Sequence, residues 1–106
     1  MTDALSALGR LWRGAGGEPA ALDRIELTGA DPILPTNFKI GTAASAVIGA
    51  TALAAAELWR LRTGKVQSVT VNMRAAVGAF RSEHHLRVDG QPPPDVRGEL
   101  FGFYRT

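Results

Sequence analysis

Three cations, Arg60, Arg62 and Lys65, fall close together just ahead of Gln67. Groups of this kind suit an anion: an arginine fork matches the paired oxygens of a phosphate, and a lysine adds a mobile point charge. They also have a plainer explanation, because cations in the last turn of a helix complement the negative pole of its macrodipole. Other candidates carry less chemistry. Gly14, Gly16 and Gly17 invite comparison with a phosphate-binding loop, but Pro19 stands where the third glycine of a dinucleotide fingerprint belongs, and no strand precedes them. They read as a helix stop. His84 and His85 are adjacent, so on a helix they point about 100° apart and cannot share a metal ion as residues four apart can. Ser6, Ser45, Ser68 and Ser82 lack a nucleophile elbow. Asp31 before Pro32 and Asp89 before Gly90 read as ordinary turn residues. No catalytic residue and no metal ligand is assigned.

The 106 residues hold 12 Lys plus Arg against 10 Asp plus Glu, and no cysteine. Without thiols there is no disulfide framework, zinc–thiolate cluster or cysteine nucleophile. A net charge of +2 is too slight and too dispersed to recruit nucleic acid. Trp12, Trp59 and Phe80 are spaced as core residues rather than interleaved with a basic run. Met1 to Leu5 lacks the cationic start and apolar centre of an export signal, so a cytoplasmic setting is expected. Ile40 to Trp59 carries a single charge, but alanine, glycine, serine and threonine dilute it, and burial in protein is expected rather than a membrane span. A chain of this size hides about two thirds of its unfolded surface, enough for one small core.

The elements that must position the cations follow from periodicity and punctuation. Leu5, Leu8, Leu11 and Trp12 recur at helical steps behind Thr2 or Asp3 as cap, which predicts a helix over 4–13. Leu22 to Leu27 alternates apolar with charged residues, the pattern of a short edge strand, and Pro32 and Pro35 keep the next residues extended. A long alanine-rich helix is expected over 42–62, with Thr42 capping its first turn, Arg60 and Arg62 near its end and Gly64 in the left-handed closing position. Its middle is apolar almost all round, so burial on several sides is expected. Val69 and Val71 place a strand over 67–71. Asn72 then caps an amphipathic helix over 73–85 whose inner side is Met73, Ala76, Val77, Phe80 and His84. A proline-rich linker over 90–98 and an aromatic-rich terminal strand over 100–105 complete a single partial α/β domain that is mainly helical.

The stretch from Leu58 through Arg62-Thr63-Gly64-Lys65-Val66-Gln67 and Val69-Thr70-Val71 to Ala76 resembles the family III CoA-transferases of the CaiB/BaiF type. There an alanine-rich helix, an Arg-Thr-Gly-x-Gly-Gln turn, a short valine strand and a second helix follow one another. Phe80 to Glu83, Leu86 to Gly90, the prolines and Gly102 to Thr106 look like the continuation in one branch, so the likeness covers roughly residues 20–106. Val66 takes the place of the turn's second glycine, and Asn72 stands where the branch often has aspartate. The resemblance implies part of a larger CoA-transferase fold, in a homodimer that moves coenzyme A between carboxylic acids. It implies an acyl-CoA thioester as substrate, no tightly bound cofactor, and covalent catalysis by an aspartate upstream of the matched block. Racemases and isomerases of acyl-CoA are related. In this reading Arg60, Arg62 and Lys65 would meet the phosphates of coenzyme A, and the chain is a fragment that is inactive alone, acting with a second copy or the remainder of the enzyme. The rival expectation is a small helical module that binds a protein partner or oligomerises, without catalysis.

Overall fold

The computed structural model describes residues 3–82 and 85–92. Its first helix, α1 (Ala4–Gly14), starts where the Asp3 carboxylate accepts the Ser6 N–H at 2.7 Å. This satisfies one of the donors that every helix start leaves unpaired. After the glycines the chain is fastened by the Trp12 indole, whose Nε1 donates to the Glu18 carbonyl at 2.8 Å. The alternation over 22–27 produces a strand only from Ile25. Pro19 opens a short 3-10 helix, Pro19–Arg24, that buries Ala21, and β1 is confined to Ile25–Thr28. Proline's fixed φ suits the first position of a helical turn, and that local preference wins over the alternation.

The long helix α2 runs Ile40–Thr63 and closes on Gly64 with φ 75°, a left-handed position that glycine takes without steric cost. The Gly64 N–H donates to the Arg60 carbonyl at 2.7 Å. Thr42 does not cap the helix, which begins at Ile40, and the flanking Lys39 supplies no side-chain cap. The cap arrives from Asp31, as described below. Strand β2 is Val69–Asn72, two residues later than expected at its start, and it pairs in parallel with β1, Ile25 opposite Val69 and Thr28 opposite Asn72. A β–α–β unit results, since parallel neighbours need a crossover and α2 supplies it.

Helix α3 is Met73–Phe80, with the Asn72 side chain accepting the Ala75 N–H at 3.1 Å. It ends five residues earlier than the expected 85. Arg81 leaves helical geometry at ψ 35°, and a turn closed by the His85 N–H on the Ser82 carbonyl follows. Met73, Ala76 and Val77 are buried as expected, whereas Phe80 is 46% exposed. Val88 and Gln91 pair across Asp89–Gly90. His84, most of the 90–98 linker and the 100–105 strand lie outside the described residues.

Two buried clusters flank α2. On one side Leu8, Trp12, Ala21, Ala46 and Leu53 join α1 to α2, and on the other Ala44, Val71, Ala76 and Val77 join α2 to β2 and α3; Leu27 and Val69 pack against both. Small residues allow this closeness. A Cβ on Gly49 would lie 2.6 Å from Leu8 Cδ1 and 3.1 Å from Ile25 Cδ1, so only glycine lets α1 and β1 approach α2 undisturbed. The burial of α2 is incomplete, however, because Val47, Leu58, Trp59 and Leu61 remain exposed. By length and composition α2 would also cross a bilayer, yet 44% of its most apolar window is buried inside this fold.

Candidate functional site

At the C-terminal end of α2, Glu57 is held between two arginines. Arg60, one turn on, brings Nη2 to 3.0 Å from Oε2 and Nε to 3.2 Å from both carboxylate oxygens, while Arg24 brings Nη1 to 2.6 Å from Oε1. The Arg60 guanidinium holds the Glu57 carboxyl below its ordinary range, against the opposing effect of desolvation, and Arg24 adds to the effect. Glu57 in turn raises the Arg60 guanidinium. The ion pair thereby ties the 3-10 segment to α2. Beside it, Trp12, Gly16, Gly17, Glu18, Leu58 and Leu61 help to line an open cleft of about 440 Å³ that also reaches Arg60.

The three cations singled out from the sequence do not form one cluster. Arg60 faces Glu57, whereas Arg62, two residues on, lies about 200° around the helix and is exposed. Lys65 follows Gly64, also exposed, with its N–H donating to Thr63 Oγ1 at 3.2 Å. Arg62 and Lys65 therefore keep their charge open to solvent at the α2–β2 turn, while the Arg60 fork is committed. The Arg60–Glu57 half of this arrangement was visible as a single carboxylate three residues ahead of an arginine in an apolar run. Arg24 was not visible, because tertiary packing delivers it.

The opposite end of α2 holds the residue that sequence reasoning undervalued. Asp31 Oδ1 accepts the Gly41 N–H at 3.0 Å, and Oδ2 accepts both the Thr42 N–H and the Thr42 hydroxyl at 2.7 Å. Desolvation pushes this carboxyl up, but the Thr42 hydroxyl and the Thr42 and Gly41 N–H groups outweigh it and hold the carboxyl below its ordinary value. With both oxygens engaged, Asp31 is an anchor and not a free nucleophile. One turn on, the Ser45 hydroxyl is fully buried, with no hydrogen-bond partner among the described residues. Among the described residues no group of three His, Asp or Glu side chains is placed to hold a metal ion.

Comparisons with protein-family models, curated proteins and solved structures returned no match for this chain.

Proposed function

We propose that this chain is part of a family III acyl-CoA transferase, acting with a second copy or with the remainder of the enzyme to move coenzyme A between carboxylic acids. The observation that carries the reading is the segment from Leu58 to Ala76, whose resemblance to that family spans a helix, a charged turn, a valine strand and a second helix. The chain folds there as α2, turn, β2 and α3, in that order. Arg62 and Lys65, exposed at the turn, suit the phosphates of a coenzyme A thioester, the substrate on this reading. Asp31 is unsuited to the attacking carboxylate that forms the mixed anhydride, since its oxygens already accept three hydrogen bonds. That carboxylate would come from elsewhere in the enzyme, and the chain alone would transfer nothing.

Calorimetric titration with coenzyme A tests the reading. Binding is expected, weakened about tenfold by Arg62→Ala and by Lys65→Ala, the loss of one screened charge-assisted contact each. Both side chains are exposed, so neither change disturbs the core. Absence of heat across the titration overturns the phosphate assignment. The second reading, a protein-interaction module without catalysis, is favoured by the exposed apolar residues Leu58, Trp59 and Leu61 at the end of α2. Stable oligomers combined with no coenzyme A binding would select it.

A further inference from the structure

The side of α2 that faces α3 carries more apolar surface than α3 covers. Met73, at the start of α3, lies against Gly41, and Ala76 and Val77 pack with Ala44 and Ile48. The eight residues of α3 extend about 12 Å against about 36 Å for the 24 residues of α2, so α3 ends while α2 still has several turns to run. At 100° per residue, Ala52, Trp59 and Arg62 all fall within about 40° of the Ile48 direction, which makes one stripe. Ile48 and Ala52 are half-buried. Trp59, about 10 Å beyond Ala52 along the axis, is 44% exposed, and Arg62 is exposed in the last turn.

Between the two helices lies an open groove of about 280 Å³. Ile48 and Ala52 form one wall, Ala75, Ala76 and Ala79 the other, and β2 the floor; no charged side chain among the described residues lines it. Short side chains keep it open. Ala75 and Ala79 are exposed and one turn apart, so they present two methyls on the same side of α3. Positive charge is confined to one end of this apolar track, where Arg62 closes the α2 stripe and Lys65 stands four residues before β2 begins. The sequence has no acidic residue between Glu57 and Glu83 to offset them. The surface is complementary to a molecule with an anionic head and an apolar tail.

We propose that the groove seats the aliphatic acyl chain of a coenzyme A thioester whose phosphates meet Arg62 and Lys65, with the Trp59 indole beside the uncharged arm that joins them. Along α2, Arg62 is about 15 Å from Ala52 and about 21 Å from Ile48. A coenzyme A thioester has this layout, because a long neutral arm separates its phosphates from its acyl group. In a fatty acid the charge adjoins the chain, and would stand at the apolar mouth of the groove. This assignment rests on the transferase reading and adds to it the class of acyl group. An alkyl chain fits alanine and valine walls, whereas a second carboxylate would find nothing there to pair with.

The test is a methyl-detected NMR titration of the full chain with coenzyme A, octanoyl-CoA and octanoate in parallel. Octanoyl-CoA is expected to bind at least about tenfold more tightly than coenzyme A, the gain from burying as few as two methylenes. It should also shift the Ile48, Ala52, Ala75 and Ala79 methyls, which coenzyme A leaves in place. Ala75→Gln and Ala79→Gln, both at exposed positions of α3, put a polar side chain into the groove, and each should abolish the octanoyl advantage. Arg62→Ala should weaken both coenzyme ligands by the same factor and so preserve their ratio. Unchanged helical circular dichroism in these variants separates loss of the groove from loss of the fold. Equal affinities for coenzyme A and octanoyl-CoA, with the groove methyls unmoved, would overturn the acyl site and leave the transferase reading standing. If neither ligand binds, both fall. Octanoate binding as tightly as octanoyl-CoA, and insensitive to Arg62→Ala, would overturn the coenzyme assignment. Groove methyls that shift on dilution of the chain without ligand would give the groove to a second copy and overturn the proposal.

Discussion

The Asp31 carboxylate replaces a cap that the residues next to α2 do not provide. Lys39 contributes no side-chain acceptor, and the Gly41 and Thr42 N–H groups would otherwise be unpaired at a partly buried helix start. Losing such an acceptor costs about 1–2 kcal/mol, so Asp31→Ala is expected to lower stability by that amount, read by chemical denaturation at pH 7. The contribution also depends on pH, and its sign follows from the direction of the shift. The folded carboxyl titrates below its ordinary value, so its stabilisation is fully present above the unfolded pKa of about 3.9 and is lost as pH falls through the folded value. The stability gap between the native chain and Asp31→Asn should therefore shrink in acid below about pH 4. A gap of constant size down to pH 2 would show that the charge on Asp31 contributes nothing. From sequence, Asp31 before Pro32 reads as a turn residue, and its reach to Thr42 emerges only when the loop folds back on the helix it precedes.

Helix ends whose signals are local were legible, and those set by packing were not. Asp3, Asn72 and Gly64 act within three or four residues of themselves, so residue type announces the start of α3 and the end of α2 and narrows the cap of α1 to Thr2 or Asp3, of which the structure uses Asp3. The parallel pairing of Ile25 with Val69 has no local signature, since α2 intervenes, and so the expected edge strand and valine strand stood apart until the structure joined them. The same divide runs through the candidate site. Arg60, Arg62 and Lys65 are neighbours in sequence, yet helical geometry turns Arg60 toward Glu57 and away from Arg62, and Lys65 lies past the Gly64 helix end. Two helix glycines test how far packing overrides propensity. Replacing glycine by alanine in a helix interior gains up to about 1 kcal/mol when nothing obstructs the methyl, which is the situation at Gly78. At Gly49 the methyl would press on Leu8, which is fully buried, and overpacking of that kind costs about 1–3 kcal/mol. Thermal melts should thus move in opposite directions, upward for Gly78→Ala and downward for Gly49→Ala. A Gly49→Ala variant as stable as Gly78→Ala would mean that α1 shifts freely and that the close approach is not a constraint.

At the scale of the whole molecule, the described residues form a small mixed α/β unit with a two-stranded parallel sheet, an arrangement that usually needs cover on both faces. Cover is supplied on the α2 side, but Leu58 is 50% exposed, Trp59 44% and Leu61 72% on the last two turns of that helix. Leu58 and Leu61 open onto the cleft beside Trp12, so these side chains adjoin a concave surface rather than scattering singly. A large apolar group left in water loses on the order of 1.5–3 kcal/mol relative to burial, which is enough to drive association when several lie together. The expected outcome is self-association through this end of α2. Light scattering after size exclusion should show an average mass rising above 11.2 kDa as the chain is concentrated. Leu61→Glu, which places a charge in the patch without touching either buried cluster, should weaken the association at least about tenfold while leaving the helical circular dichroism unchanged. A particle that stays at 11.2 kDa over the whole range would show that the exposed end of α2 is tolerated by the isolated chain, and would remove the physical reason for a second copy there.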